Sequence, residues 1–349
     1  MKILFLSHKF YPDIGGIESL SEMLATAFSE AGHEVRLATW SPDATSKKFC
    51  FQVVRCPNLL QLIHEHKWAD FVYENNPCLR LSWLGLFWKK PSVISLQTWL
   101  FDDKDKIRWQ NRAKIKWLRR AQKVIACSDA IRKRCYPPAI VIGNAFNEKL
   151  FRVIPDTERK KRFIFLGRLV SDKGADVAIR AFHNLLTSKK QSNLSLSGIS
   201  LTIVGKGPEQ NHLKALVGDL GLNEDIIFAG PLTGSALVTC LNQHQFILVP
   251  SMWEEPFGIV ALEGMACGCI PIVSNTGGLP EAVGQAGITF SGGDANALTH
   301  AMHKLLNNHN LNIQLRKHAP NHLVHFHTNT VANSILNIIE ETYSDYRRN

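Results

Sequence analysis

Apolar and polar positions along this chain follow two alternating periods. Short apolar runs at Lys2–Ser7, Val35–Thr39, Phe51–Arg55, Phe71–Glu74, Ser92–Leu96 and Lys123–Ala126 read as buried strands. Stretches with helical spacing fall between them. In Glu18–Ala31, for example, Leu20, Leu24, Ala27 and Phe28 share one face, and Gly32 follows as a C-cap. This rhythm predicts a parallel sheet with helices on both faces. It pauses at Gly143–Lys149 and at the charged stretch Asp156 to Arg162. It then restarts with strands Arg162–Leu166, Leu201–Val204, Ile226–Phe228, Phe246–Pro250 and Ile270–Ser274. Helices Gly174–Leu186, Gln210–Gly218, Ser235–Asn242 and Ile259–Cys267 alternate with those strands, and Ala295–Asn307 and Asn329–Tyr346 are expected to close the chain. The expected fold class is therefore α/β, with one Rossmann-like domain over 1–155 and a second over 156–328. Two such domains would leave a deep cleft at the carboxyl ends of their strands, where ligands of open α/β sheets bind.

Bulk properties narrow the class. A length of 349 residues suits two domains, and 45% hydrophobic with 20% charged residues is ordinary for a globular chain. No apolar run approaches the roughly 20 residues that span a bilayer. Met1–His8 is too short and too soon charged for a signal peptide, so it reads as a first buried strand. The eight cysteines form no C-x-x-C pair and no zinc-like spacing, which points to free thiols in a cytoplasmic protein. Charge is lopsided: residues 1–150 carry 23 Lys and Arg against 14 Asp and Glu, and the remainder carries 17 against 16. The first half thus calls for an anionic partner. Lys104–Lys123, with Trp109 and Trp117, and the apolar Leu81–Lys90 would let it rest on an anionic membrane. A solvated helix face beside an ordinary core helix is the alternative. No nucleic-acid motif accompanies the charge. The short Lys189–Asn193 stretch reads as a linker.

Candidate chemistry lies in the loops after strands. Ser251–Glu263 places Glu255 and Glu263 around a Pro-Phe-Gly and before a helix. Acids there can grip sugar and ribose hydroxyls, while helix-end amides grip phosphate. Gly167–Gly174 carries Arg168 at a strand end and Lys173 opening the next helix, a pair suited to clamp a pyrophosphate. Gly15-Gly16 would let backbone approach a phosphate or sugar, or would simply form a tight turn with positive φ. Thr276-Gly277-Gly278 is a rim for the diphosphate or a plain turn. The lone His8 reads more readily as structural than as a ligand. Asp102–Asp105 has the D-x-D look of a metal motif, but a solvated acidic turn is the better reading, and no metal site is assigned.

These motifs, in order, resemble retaining glycosyltransferases of the GT-B fold, in family 4 (glycosyl transferases group 1). The resemblance is carried by Phe10–Glu18, Ala31–Val35, Val124–Arg132, Gly167–Gly174, Leu201–Pro208 and above all Val249–Glu263, the E-x7-E signature. It implies a hexosyltransferase-like enzyme with a UDP- or GDP-linked sugar donor, no cofactor and no metal. The acceptor would be a glycan, a glycolipid or another lipid-linked molecule. It implies catalytic roles for Arg168 and Lys173 on the diphosphate and for Glu255 on the donor sugar. Glu263 would hold the ribose, and the backbone of Phe257, Gly258, Ile259 and Val260 would cradle sugar and phosphate. Gly15 and Gly16 would close over the phosphates, and Gly207 would border the base. Gln97 stands where many relatives carry a histidine; it can donate to the sugar but cannot titrate near neutral pH. The resemblance also implies that a final helix, 329–349, crosses back to the first domain. The free thiols and the basic first half together place the protein in the cytoplasm, with peripheral contact at the inner membrane face. A sugar-nucleotide epimerase of the same fold, or a non-catalytic nucleotide-sugar-binding protein, is the alternative.

Overall fold

The structure is a computed structural model that describes residues 1–13, 15–42, 47–100, 109–191 and 199–348. Asp102–Asp105, the 104–108 start of the basic stretch and Ile14 lie outside the described residues. So do positions 192 and 193 of the expected linker, whose first three residues belong to the helix Ala175–Gln191. The chain divides into two compact units, Met1–Ala145 with Phe326–Asn349, and Phe146–His325.

Among the described residues, the first unit holds β1 (Lys2–Leu6), β2 (Glu34–Thr39), β3 (Gln52–Arg55), β4 (Phe71–Asn75), β5 (Ser92–Leu96), β6 (Lys123–Ala126) and β7 (Ile140–Val141). They form one parallel sheet in the order β3-β2-β1-β4-β5-β6-β7. Ile3 to Leu6 are fully buried, as a parallel strand covered on both faces requires. The helix Gly16–Glu30 ends at Gly32 (φ 89°), where the Gly32 and His33 amides donate to Ser29 O and Phe28 O. That is the Schellman arrangement expected of a glycine at this point. The final helix, Thr328–Arg348, buries Val331, Ala332, Ile335, Leu336 and Ile339 in one cluster with Ile3, Phe5, Leu24 and Phe28.

The second unit repeats the plan. Its strands β8 (Lys161–Leu166), β9 (Leu201–Val204), β10 (Ile226–Gly230), β11 (His244–Val249), β12 (Ile270–Ser274) and β13 (Ile288–Phe290) pair in parallel in the order β10-β9-β8-β11-β12-β13. In both sheets the strand order reverses once, between β1 and β4 and between β8 and β11. A crevice opens at the carboxyl ends of strands at such a point.

Three local expectations differ from the structure. The chain divides at Phe146 rather than at 155. Phe151 is buried, and the Asn242 side chain donates to Arg152 O (3.0 Å) and accepts from the Ile154 amide (2.8 Å), so this segment belongs to the second unit. Lys173 does not open a helix. It ends a short 3-10 turn, Ser171–Lys173, and Gly174 separates it from the helix Ala175–Gln191. A further helix, His309–Val324, lies between the two that were expected to close the chain. It is largely polar and contains Pro320, so no clear apolar stripe announced it. Tertiary contacts hold it: Asn308 caps the Leu311 amide, and Leu315 and Leu323 are buried.

Candidate active site

The carboxyl ends of β8, β9, β11 and β12 carry loops that are bonded to one another. The Leu169 amide donates to Lys206 O (3.0 Å), and the Glu209 amide donates back to Leu169 O (3.0 Å). Gly207 sits so close to this loop that a Cβ would meet Leu169 O at 2.2 Å. The Met252 and Trp253 amides both donate to Asp172 O (2.9 and 3.2 Å). Gly174 has φ +69°, and a side chain there would come within 2.1 Å of Pro250 O. Gly277 has φ +59°, and its Cβ would meet Glu255 O at 2.2 Å, the same oxygen that the Gly278 amide bonds at 2.8 Å. Glycine is required at both positions by backbone sign and by space. The loops at the switch point between β8 and β11 are therefore a built unit.

This packing brings together side chains far apart in sequence. The Lys173 ammonium donates to Glu255 Oε1 in an ion pair, and Ser251 Oγ donates to the same oxygen at 2.7 Å. Lys173 also lies 5.7 Å from the centre of the Trp253 ring. Glu255 is only 9% exposed, so both bonds matter for a buried charge. Arg168 stands exposed, with no side-chain partner among the described residues. Phe257 turns its ring into the interior. Gly258 (φ 115°) is the N-cap of the helix Ile259–Ala266 and gives no side-chain cap. The first amides of that helix, at Ile259 and Val260, have no intrahelical acceptor and suit an anion. Glu263 lies one turn into the helix, half-buried, and burial pushes its carboxyl up to about 8. Burial thus favours its protonated form, which can donate to a hydroxyl oxygen as well as accept. The E-x7-E spacing is thus split: Glu255 is on the loop and only Glu263 is on the helix.

In the first unit, Gly15 is extended (φ 179°), so the left-handed turn is not adopted there, and Gly16 begins the helix. A Cβ at Gly15 would meet Glu18 Oε2 at 2.4 Å. Gln97 follows β5 and is 5% exposed. Its amide donates to Asn76 Oδ1 (3.1 Å) and its Nε2 to Ser95 Oγ (2.8 Å), while its buried Oε1 has no partner among the described residues. His8 is exposed; partial burial, then Arg80 and Lys9, lower its pKa.

Sequence reasoning missed Glu74, at the end of β4 beside the first switch point. It is 3% exposed and accepts from the Cys78 amide (2.8 Å) and from Trp117 Nε1 (3.0 Å). Burial raises it to about 7 despite these bonds. The available signal was an acid inside a strand that is otherwise buried on both faces. Buried hydroxyls at Ser274, which ends β12, and at Thr276, just after it, also lack partners among the described residues. Among the described residues, no group of three or more His, Cys, Asp or Glu could hold a metal ion.

Two Rossmann-like units of this order, with a phosphate-suited loop cluster at a switch point, define a protein with the GT-B glycosyltransferase fold. The chain belongs to the glycosyl transferases group 1 family, whose model matches residues 146–322. Anabaena Alr3699/HepE, crystallised in complex with UDP-glucose, shares the fold with a TM-score of 0.81 at 20% identity, over 98% of this chain and 100% of that one. A D-inositol 3-phosphate glycosyltransferase from Corynebacterium jeikeium (strain K411) is 33% identical over 185 residues, 52% of this chain and 44% of the relative. The match therefore spans less than half the length of that relative. A glycogen synthase from Mycobacterium tuberculosis (strain H37Rv) is 27% identical over 88% of this chain and 86% of its own length. No helix among the described residues is long and apolar enough to cross a membrane.

Proposed function

We propose that the chain is a retaining, metal-independent glycosyltransferase that moves a sugar from a UDP- or GDP-linked donor to a glycan, glycolipid or other lipid-linked acceptor. The observation that carries this reading is the loop cluster at the β8–β11 switch point. It joins an unpaired Arg168, the Lys173–Glu255 ion pair and an uncapped helix N-terminus. Cleavage of the bond between the anomeric carbon and the diphosphate oxygen builds positive charge on the sugar and negative charge on the leaving group. Arg168, Lys173 and the amides of Ile259 and Val260 offset the negative charge. An ammonium has three protons, so Lys173 can keep Glu255 oriented while donating to a phosphate oxygen. Glu255 then accepts from hydroxyls of the sugar, and Glu263 holds the ribose. Gln97 takes a contact role on the sugar, and Gly15, Gly16 and Gly207 let backbone approach the donor. No side chain is assigned as a nucleophile.

The first unit would meet the acceptor at an anionic membrane surface. Trp83, Leu86 and Phe87 are exposed, Lys89 and Lys90 follow them, and Arg120 donates to Gly85 O on the same turn. Apolar tips ringed by cations suit an anionic lipid interface. Incubation with a panel of UDP- and GDP-sugars, with products followed by mass and anomeric configuration read by NMR, tests the activity. Transfer with retention is expected. Epimerised free donor without transfer, or tight donor binding without turnover, would overturn the reading. Sedimentation with vesicles rich in anionic lipid tests the surface: Phe87→Ser with Leu86→Ser should release most of the bound protein.

A further inference from the structure

The second sheet has an opposite edge that the donor site does not use. The starts of β8 and β11 lie side by side there, with Lys161 paired to His244. A cavity of about 450 Å³ opens at this edge, and its walls include Arg159, Arg162, Gln245, Leu305, His309 and Arg316. That volume lies within the range of small-ligand sites, about 300–1,000 Å³. Three guanidiniums meet in it, and its lining contains no Asp or Glu.

The three arginines are not equivalent. Arg159 is committed to the fold: it donates to His244 O (3.0 Å), Asn242 Oδ1 (3.4 Å) and Cys267 O (2.6 Å). Arg162 donates through Nη1 to Gln245 Oε1 (2.6 Å), but its Nε is buried with no partner among the described residues. That Nε has almost no accessible surface, so an acceptor in the cavity would bond the outer Nη2, which also has no hydrogen-bond partner among the described residues. Arg316 has no side-chain partner among the described residues, and it is exposed overall. Loss of hydration and then the Arg159 charge lower its pKa, as expected of a cation crowded by another. Gln245 Nε2 donates to Arg159 O (3.0 Å), which ties the Arg159 and Arg162 segments together.

We propose that this cavity binds a small phosphate-bearing anion, a phosphate monoester or a diphosphate, with Arg162 and Arg316 as its ligands. Guanidinium forks match phosphate oxygens in pairs, and Arg159 adds favourable field without giving up its own bonds. The site is separate from the donor loops, which lie at the carboxyl ends of the same strands. Arg159 nonetheless links the two edges: Cys267, whose carbonyl it holds, ends the helix that begins at the donor loop.

Calorimetric titration of the full chain with inorganic pyrophosphate tests the proposal. Arg168→Ala serves as background, so that the donor clamp is weakened. Binding is expected to persist in this protein and to weaken roughly tenfold to a hundredfold when Arg162→Gln and Arg316→Gln are added. Without pyrophosphate, a cooperative thermal transition in the added pair confirms that it is folded, so that lost affinity is read on a native protein even if loss of the Arg162–Gln245 bond lowers the melting temperature. An affinity within twofold of the background after adding the pair would overturn the proposal, as would absence of binding to Arg168→Ala at millimolar pyrophosphate. Full recovery with Arg162→Lys and Arg316→Lys would reduce the site to diffuse charge attraction and overturn it also.

Discussion

At the scale of the residue, Lys173 and Arg168 are both cations beside a helix N-terminus, yet their surroundings differ. Lys173 is bonded to a buried carboxylate, and Arg168 is exposed and unpaired. Lys173→Ala should therefore lower both transfer and stability, since it leaves Glu255 buried with Ser251 as its remaining side-chain donor among the described residues. Arg168→Ala should lower transfer alone. Initial rates falling roughly 100- to 1,000-fold in both, with a reduced melting temperature only in Lys173→Ala, is the expected pattern. Titration follows the same logic of burial. Glu74 and Glu263 have folded pKa values of about 7 and about 8, above the ordinary 4.5. The folded protein holds these protons at pH values where the unfolded chain has released them. Their ionisation therefore costs nothing below about pH 4.5 and destabilises the fold progressively as pH rises through 7 and 8. Urea melts between pH 5 and pH 9 should fall less steeply with pH for Glu263→Gln than for the unaltered protein.

At the scale of the element, the donor loops are held by backbone that tolerates no side chain. Gly174→Ala would force a positive φ on alanine and drive its Cβ toward Pro250 O. A loss of roughly 1–3 kcal/mol in a denaturant melt is expected, together with weaker donor binding as the Lys173 turn shifts. Gly218 gives the contrast. It lies within the helix Gln210–Asp219, and a Cβ there meets nothing within 4 Å. Gly218→Ala should raise stability by roughly 0.5–1 kcal/mol in the same melt. The regular strands and helices around these loops were legible from apolar spacing, many to within a residue or two. The helix His309–Val324 was not. Its stability comes from Asn308, Leu315, and the contact of His322 with Ala282 O (2.9 Å), none of which makes a local periodic signal.

At the scale of the whole molecule, each unit has its own core, but the first is not continuous in sequence. Its cluster around Phe5 and Phe28 includes five residues of the final helix. A chain of 1–145 alone should expose that cluster and aggregate. Joining 1–145 to 326–349 through a flexible linker should restore a cooperative thermal transition by circular dichroism. The fragment 146–325 should melt cooperatively by itself, because its core draws on its own strands and helices.

The sequence by itself determined the alternation of strand and helix, the loops that carry Arg168, Lys173, Glu255 and Glu263, and the departure at Gln97. These are local properties: burial imposes a period on neighbouring residues, and a ligand loop needs glycine and charge within a few positions. Only the tertiary structure decided that Lys173 meets Glu255 across 82 positions, and that Glu74 is buried beside Trp117. It also decided which residues of the last helix, already expected to cross back to the first domain, enter the first core, and that three arginines share a cavity away from the donor loops. Those relations depend on which strands become neighbours. Strand order in a sheet follows from the packing of all its elements together, so no single stretch of sequence spacing records it.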